Sequence, residues 1–371
     1  MNVILLEDCC EILDNLRVPI TASERKSGPY PYYGANGVQD YVNEYIFDDE
    51  LVLLAEDGGN FGSKTRPIAY RVSGKCWVNN HAHVLKPKPG LDVDFLCYSL
   101  MFYKTDGLVN GATRQKLTQA TMRKMLIPDM TLDNQRIVVD KLNKVLAIKS
   151  KREKQLIKLD ELIKARFVEM FGDPITNSRN WPIVELGSLT EVGSSKRIFE
   201  KEYVSEGIPF YRTKEIVELS KGNSISTELY ISRERYLEIK NLYGVPQKDD
   251  LLISAVGTIG TIWVVDGKQE FYFKDGNLLR IKHSDKFESV YMKYLLECLI
   301  DEYKNRMSSG TAYAALTISG LSAMKIYDVP KLVQHKFTEF AQQIDKSKVA
   351  IQKSLAETQL LFDKLMQDYF G

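Results

Sequence analysis

The residue types that catalyse reactions occur in this chain without the spacings that common enzyme motifs require. The sequence contains no G-x-G-x-x-G run, no G-x-x-x-x-G-K-[ST] phosphate loop and no H-E-x-x-H pair. It also lacks an Asn-Pro-Pro or Asp-Pro-Pro run of the kind with which amino-methyltransferases hold a flipped base. Carboxylate-x-lysine triplets such as Asp266-Gly267-Lys268 suit a metal-dependent nuclease, but 50 basic and 49 acidic residues produce such triplets freely. The sequence therefore favours a chain without catalytic residues of its own.

Residues that bind metals are equally scattered. The five cysteines include no C-x-x-C pair, which argues against a disulfide framework and a thiolate zinc site and predicts reduced thiols. His81 and His83 lie two residues apart on a predicted strand, with no carboxylate pair beside them in the sequence. We therefore expect no metal site, and a structural or DNA-facing polar role for both histidines.

Polar, basic and aromatic side chains cluster on turns in both halves of the chain, and these residue types suit DNA. Arg matches guanine and Asn or Gln matches adenine in the major groove, whereas Lys, Ser and Thr match phosphate. Candidates in the first half are Tyr32, Tyr33, Asn36, Asn60, Ser63, Lys64, Thr65, Arg66, Asn79, Asn80, His81, Arg114, Gln115 and Lys116. Candidates in the second half are Ser194, Ser195, Lys196, Arg197, Tyr211, Arg212, Thr213, Lys214, Lys274 and Asn277. Any one of them is also consistent with an ordinary solvated loop.

The elements that position these turns occur twice, because the chain repeats itself at an offset of about 200 residues. Four blocks recur in the same order. They are Pro31-Tyr32-Tyr33 and Pro209-Phe210-Tyr211, the apolar runs 50–55 and 250–255 with glycine-rich turns after them, Gly111-Ala112-Thr113 and Gly310-Thr311-Ala312, and Leu117-Thr118 and Leu316-Thr317. Short β-branched runs and segments with apolar residues every three to four positions predict an α+β fold. Two similar domains in tandem follow, at residues 1–130 and 181–330.

Each half closes with a long proline-free segment that carries an apolar heptad seam. The seam residues are Val138, Leu142, Val145, Leu156, Leu159, Ile163 and Met170 in the first segment, and Phe337, Ile344, Ile351, Leu355, Phe362, Leu365 and Tyr369 in the second. Such seams predict helices, at 131–172 and 331–371, that pair as an antiparallel coiled coil. Gly172-Asp173-Pro174 must end the first helix and open a linker, 173–180. The alternative is that each helix caps only its own domain.

Charge and length set the remaining expectations. Residues 1–130 hold 14 basic and 16 acidic side chains, and residues 181–330 hold 19 and 21, so each domain carries a net charge of −2. DNA binding by such domains requires local basic patches and a partner that adds positive charge. The amino terminus has no basic leader and no apolar run reaches the roughly 20 residues of a membrane span. We therefore expect a cytoplasmic protein without a membrane partner.

The whole chain resembles the DNA-specificity subunit of type I restriction-modification enzymes. The most specific part of the resemblance is the run R-F-V-E-M-F-G-D-P at 166–174 with the following Trp181, supported by P-Y-Y-G-A-N-G at 31–37 and D-L-L-I-S at 250–254. The resemblance implies a non-catalytic subunit with two target-recognition domains, each of which binds one half of an asymmetric, bipartite site in double-stranded DNA. It implies that the paired helices set the gap between the half-sites and dock methyltransferase subunits.

The same resemblance implies restriction subunits as optional further partners. S-adenosylmethionine, ATP and magnesium would be used by the partners, and this chain itself would bind no cofactor. Three alternatives stay open. The chain could be a nuclease or methyltransferase that acts alone, a specificity subunit of a related type IIB-like system, or a coiled-coil scaffold without DNA recognition.

Overall fold

A computed structural model describes residues 2–111, 114–307 and 315–371, without the side chains of Arg306 and Met307. The chain divides into two compact units: Met1–Glu153 with Ser354–Gly371 form unit 1, and Lys154–Lys353 form unit 2. Parts of two repeated blocks, Ala112-Thr113 and Gly310-Thr311-Ala312, lie outside the described residues. Each unit combines one globular part with segments of both long helices.

Short strands dominate the globular part of unit 1. The strands are β1 (Val3–Leu5), β2 (Cys10–Ile12), β3 (Ser27–Gly34), β4 (Gly37–Val42), β5 (Phe47–Ala55), β6 (Ala69–Val78), β7 (Ala82–Pro87), β8 (Val109–Asn110), β9 (Lys116–Leu117) and β10 (Leu126–Pro128). The helices are α1 (Leu6–Cys9), α2 (Val93–Met101), α3 (Gln119–Arg123) and α4 (Leu132–Phe171), with a 3₁₀ turn at Asp14–Leu16.

Six of these strands form one sheet in the order β2-β7-β5-β6-β3-β4. In this sheet the pair β3–β6 is parallel, and every other pair of neighbouring strands is antiparallel. The end of β5, residues 51–55, is buried on both faces, which explains its continuous apolar run. This strand therefore carries the turn that follows it on a rigid, buried support.

Unit 2 contains more and shorter elements. Its strands are β11 (Ile183–Glu185), β12 (Val192–Gly193), β13 (Tyr203–Val204), β14 (Ile208–Tyr211), β15 (Tyr230–Ile231), β16 (Leu251–Ser254), β17 (Ile262–Val264), β18 (Tyr272–Phe273), β19 (Leu278–Ile281) and β20 (Lys325–Tyr327). Its helices are α5 (Leu186–Leu189), α6 (Thr213–Ser220), α7 (Arg233–Leu242), α8 (Ser289–Met307) and α9 (Ile318–Ser322), with a 3₁₀ turn at Glu200–Glu202. Helix α10 (Lys331–Phe370) begins in unit 2 and ends in unit 1, and α4 likewise passes from unit 1 into unit 2.

The two units share a topology. The order β12-β19-β16-β17 in unit 2 repeats β2-β7-β5-β6, and the pair β11–β20 repeats β1–β10. Two strands of unit 2, β17 and β18, together correspond to the long strand β6 of unit 1. Strand β17 pairs with β16 as β6 pairs with β5, and β18 forms a parallel pair with β14 as β6 does with β3. The expectation of two similar α+β domains, each followed by a long helix, is confirmed.

A buried glutamine occupies the same position in each unit. Gln135 accepts a hydrogen bond from the backbone N–H of Asp92 at 2.7 Å and donates to the carbonyl of Met130 at 2.8 Å. Gln334 makes the equivalent bonds to Glu288 at 2.8 Å and Val329 at 2.7 Å. Each amide thus connects the start of a long helix to the start of the preceding domain helix.

The repeated Leu-Thr dipeptide has a structural explanation. Leu117 and Leu316 are buried. The hydroxyl groups of Thr118 and Thr317 cap α3 and α9 by accepting hydrogen bonds from backbone N–H groups. The motif therefore belongs to the scaffold and not to the candidate interface.

The long helices pair in antiparallel orientation within each unit. In unit 1, Lys141 of α4 donates to the hydroxyl of Tyr369 of α10 at 3.0 Å, and Lys149 donates to Gln359 at 2.7 Å. In unit 2, the rings of Phe167 and Phe337 lie 5.3 Å apart. Helix α4 ends at Phe171, directly before Gly172, which has φ +81°. The antiparallel coiled coil predicted from the heptads is confirmed.

The predicted seam residues are buried or half-buried along both helices. Between the apolar segments of the seam lies a polar layer. In unit 1, Arg152 donates to the carbonyl of Ser354 at 2.6 Å and to the hydroxyl of Thr358. In unit 2, Lys348 and Asp160 form an ion pair at 2.7 Å. Polar groups at seam positions favour one register over its neighbours, since a shifted register would leave them unpaired. Among the described residues, no helix is both long and apolar enough to cross a membrane.

Candidate nucleic-acid interface

Segments that are distant in the sequence of unit 1 meet at the end of β5. The amide of Asn36, in the β3–β4 turn, donates to the carbonyl of Gly58 at 3.0 Å. The backbone N–H of Gly58 donates to the carbonyl of Gln115 at 3.1 Å, and that of Glu56 donates to His81 at 2.9 Å. Backbone bonds therefore hold the turns that carry several predicted DNA-contacting residues in one place.

An acidic residue absent from the predicted set lies at the centre of this surface. The Oδ1 atom of Asp57 accepts from Nη2 of Arg114 at 2.9 Å and lies 2.6 Å from Nδ1 of His81. The Arg114 side chain is 60% exposed and that of Asp57 19% exposed. The only sequence signal for Asp57 is its place directly after a buried strand and before Gly58-Gly59.

A buried cluster lies beneath this surface. The imidazole of His83 is fully buried, with Nδ1 2.7 Å from Asp14 and Nε2 2.9 Å from the carbonyl of Leu117. Both ring nitrogens therefore face oxygen atoms of the protein. Gln119 donates to Asp14 at 2.8 Å. The cluster therefore anchors the segment that follows Arg114.

A second carboxylate completes the cluster. Glu56 accepts from Arg17 at 2.6 Å and pairs with Lys116 at 3.0 Å. Burial opposes the ionisation of Glu56, but hydrogen bonds from Arg17 and Lys116 outweigh it and lower its pKa. Asp14, Glu56 and His83 offer ligand atoms within 4.8 Å of one another, yet these atoms are engaged in the bonds described. The expectation that no carboxylates accompany His83 is wrong, because the fold brings two of them from distant segments.

Three of the predicted DNA-contacting residues are buried. Tyr32 and Tyr211 are each 1% exposed and Asn79 is 3% exposed. The hydroxyl of Tyr32 donates to the carbonyl of Ile20, and the backbone N–H of His81 donates to the side chain of Asn79 at 2.8 Å. The sequence interpretation is corrected here, because these side chains support turns and do not face solvent.

The other candidates of unit 1 are at least partly accessible. Asn80, Lys64, Thr65, Arg66 and Gln115 are exposed, and Tyr33, Asn60 and Ser63 are half-buried. The hydroxyl of Ser63 accepts from the backbone of Thr65 and of Arg66, which shapes the turn around Lys64. Asn60 donates to the carbonyl of Pro67 at 3.3 Å. Asn60 and the segment 63–66 belong to the loop that joins β5 to β6.

In unit 2, two of the predicted regions lie together. Arg197 donates to Asp275 at 2.7 Å. The hydroxyl of Ser194 donates to the carbonyl of Leu278 at 3.0 Å and accepts from the backbone of Gly276. The segment at 194–197 therefore packs on the β18–β19 turn, which also carries Lys274 and the exposed Asn277.

The remaining candidates of unit 2 lie in two places, at the start of α6 and in the segment 195–196. Arg212 donates two hydrogen bonds to the Glu215 carboxylate, one from its backbone N–H at 2.8 Å and one from its guanidinium at 3.0 Å. Thr213 is half-buried and Lys214 is exposed at the start of α6. The ammonium of Lys196 lies 5.1 Å from the ring of Tyr243, while Ser195 is half-buried.

The centres of the two surfaces differ in charge. Ala255 of unit 2 occupies the position that Glu56 has in unit 1. The backbone N–H of Ala255 donates to the carbonyl of Asn277, as that of Glu56 donates to the carbonyl of His81. Val256 then follows where unit 1 has Asp57. Equivalent backbone positions therefore present charged side chains in unit 1 and uncharged ones in unit 2.

Comparisons with known proteins agree on one family. The family model described as "Type I restriction modification DNA specificity domain" matches residues 1–159 and again 178–359. The chain is 32% identical over 345 residues to a putative type I restriction enzyme specificity subunit, S.HindORF215P, of Haemophilus influenzae, covering 92% of this chain and 86% of the relative.

Two solved structures share the fold over the whole chain. The S subunit of a type I restriction-modification system from M. genitalium superposes with a TM-score of 0.61 at 15% identity and is covered over 96% of its length. A chain from a study of complex assembly and conformational transition in the type I R-M system gives a TM-score of 0.58 at 17% identity, with 97% of that chain covered.

Proposed function

Since this chain belongs to the type I restriction-modification DNA specificity family, whose members are the non-catalytic subunits of their complexes, we propose that it binds a bipartite, asymmetric site in double-stranded DNA. It directs methyltransferase subunits to that site. Restriction subunits join the same assembly where they are present. S-adenosylmethionine, ATP and magnesium are used by these partners, and the assembly acts in the cytoplasm, where its DNA lies.

One observation carries this proposal: a single scaffold is built twice with different chemistry at equivalent positions. Glu56, Asp57 and His81 in unit 1 correspond to Ala255, Val256 and Asn277 in unit 2. Base edges are distinguished by the donors and acceptors that face them. Two scaffolds with different groups at one place therefore favour two different half-sites, and so an asymmetric target.

The long helices supply the other two parts of the proposal. Each has 40 residues, so each is about 60 Å long at 1.5 Å per residue. Large apolar side chains are exposed on both of them: Ile137, Ile148, Ile157, Leu162, Val168, Leu332, Val349, Leu360 and Leu361. Exposed apolar residues in such number favour a protein partner. We infer that the helices separate the half-sites and dock the methyltransferase subunits.

A map of N6-methyladenine tests the proposal. Cells that express this chain with the methyltransferase encoded beside it are compared with cells that express the methyltransferase alone. A split, asymmetric motif that appears only with this chain supports the proposal. Replacing residues 181–330 by the corresponding domain of a relative should then change one half-site and leave the other. An unchanged map, with no DNA binding by the purified complex, contradicts it.

The alternatives give different results. A nuclease or methyltransferase that acts alone would modify DNA as a purified chain, whereas the proposal requires the methyltransferase subunit for any modification. A scaffold without DNA recognition would support methylation that shows no sequence preference.

A further inference from the structure

In unit 1, the Asp57 carboxylate holds one edge of the exposed Arg114 guanidinium. Nη2 of Arg114 donates to Asp57 Oδ1 at 2.9 Å and lies 3.3 Å from Nδ1 of His81. Within the described part of the chain, the polar contacts of this guanidinium all involve Nη2. With 60% of the Arg114 side chain exposed, Nη1 and Nε keep donors for an external acceptor.

The backbone around this pair is prepared for it. Gly58 has φ +62°, and a Cβ atom built there would lie 3.4 Å from Nε of Arg114. The backbone N–H of Gly58 holds the carbonyl of Gln115 at 3.1 Å, and Leu117 is held by Glu56 at 2.7 Å. Arg114 therefore projects from a segment that is bonded to the turn after β5 on one side and to the buried His83 cluster on the other.

The charge of the pair decides what Arg114 can bind. A free arginine attracts phosphate from any direction, but Asp57 neutralises Arg114 and leaves it little long-range attraction for the DNA backbone. What remains is directional. Asp57 takes one of the two N–H groups of Nη2, and Nδ1 of His81 donates to the same carboxylate at 2.6 Å and so does not accept the other. The second N–H of Nη2 and a neighbouring N–H of the guanidinium still form a parallel pair, the geometry that matches O6 and N7 of guanine. Oriented donors with little net charge suit base recognition more than phosphate contact.

We propose that unit 1 recognises a guanine in the major groove of its half-site through Arg114, with Asp57 as the positioning residue that sets the direction of the guanidinium. The inference rests on the proposed function, since it assigns a base to a half-site. Unit 2 lacks this device among its described residues, because Val256 stands where unit 1 has Asp57. A guanine contact of this kind is therefore expected in one half-site only.

The test is the N6-methyladenine map of variants coexpressed with the methyltransferase. Arg114→Lys keeps the charge and removes the fork, and Arg114→Gln removes both. Asp57→Asn keeps the shape of the positioning side chain and removes its charge. The matched control is Lys124→Gln, which removes an exposed positive charge of the same unit outside the candidate interface. The second half-site serves as an internal standard in every variant, since it reports whether the complex still assembles.

We expect both Arg114 variants to lose the preference for guanine at one position of one half-site, by roughly 5- to 150-fold, the range for a bidentate base contact. Asp57→Asn should relax the same position by a smaller factor, and Lys124→Gln should leave the motif unchanged. Arg114→Lys separates the geometry of the guanidinium from its charge. A residue that only stabilises the fold would instead weaken the preference at every position of the motif alike.

Three results overturn the inference while leaving the proposed function intact. The first is that the wild-type half-site assigned to unit 1 by domain exchange contains no guanine. The second is that the Arg114 variants lower methylation uniformly and leave the motif unchanged. The third is that the relaxed position falls in the other half-site. A wild-type complex that yields no motif at all contradicts the proposed function instead.

Discussion

Shortening both long helices by one heptad should contract the gap between the half-sites without changing either of them. The structure defines which segments to remove together, namely residues 149–155 and 353–359. This pair of segments contains Lys149 with its partner Gln359, and Arg152 with both of its acceptors, Ser354 and Thr358. The polar layer of unit 1 is therefore deleted as a set, and no member loses its partner.

The magnitude follows from helix geometry. Seven residues shorten a helix by about 10 Å at 1.5 Å per residue, and this equals about three base pairs at 3.4 Å each. Removal of seven residues keeps the heptad phase, so the remaining seam residues still face each other. Three base pairs, however, turn the duplex by about 100°, given roughly 10.5 pairs per turn. The DNA must absorb that rotation, and we therefore expect a contraction of one to three base pairs.

The assay is the N6-methyladenine map, with three comparisons. The paired deletion should give the original half-sites at a shorter gap, and duplication of the same two segments should give a longer one. Deletion of residues 149–155 alone leaves the helices unequal and should abolish methylation. An unchanged gap in a methylating paired-deletion complex, or altered half-sites at the old gap, would refute the role of the helices as the spacer.

Two further predictions concern stability. Gln334→Leu removes the hydrogen-bond partner of the Glu288 N–H and of the Val329 carbonyl. Each buried group left unsatisfied lowers the free energy of unfolding by about 1–3 kcal/mol, so the midpoint of thermal unfolding should fall. The control, Gln342→Leu at an exposed position of the same helix, should shift the midpoint little. Burial opposes ionisation of Asp14, but hydrogen bonding and charge from His83 outweigh it, so its folded pKa lies below the ordinary 3.8. The contribution of Asp14 to stability is thus complete above the ordinary pKa and is lost as the pH falls through the pKa of the folded state. The difference in free energy of unfolding between wild type and Asp14→Asn should be level near neutral pH and shrink in acid. A difference that stays constant with pH would contradict this.

Much of the architecture was accessible from local patterns in the sequence. The heptad seams predict two long helices because an apolar stripe must be buried along its whole length. Gly172 and Pro174 end α4 because neither glycine in the left-handed region nor a following proline continues a helix. The repeated Leu-Thr dipeptides mark equivalent caps in both units. These signals depend on neighbours within a few residues, and therefore survive in the sequence alone.

The composition of the candidate interface was decided by tertiary structure. Asp57, His81 and Arg114 meet only because β5 pairs with β7 and the segment after β8 returns to the end of β5. The pairing of β3 with β4 and β6 turns Tyr32 into a buried support, although its neighbour Tyr33 remains half-buried. Sequence periodicity determines which residues can form a strand or a helix. Which side chains then become neighbours depends on sheet register and on contacts between segments far apart in the chain, and this is where the charged centre of unit 1 arises.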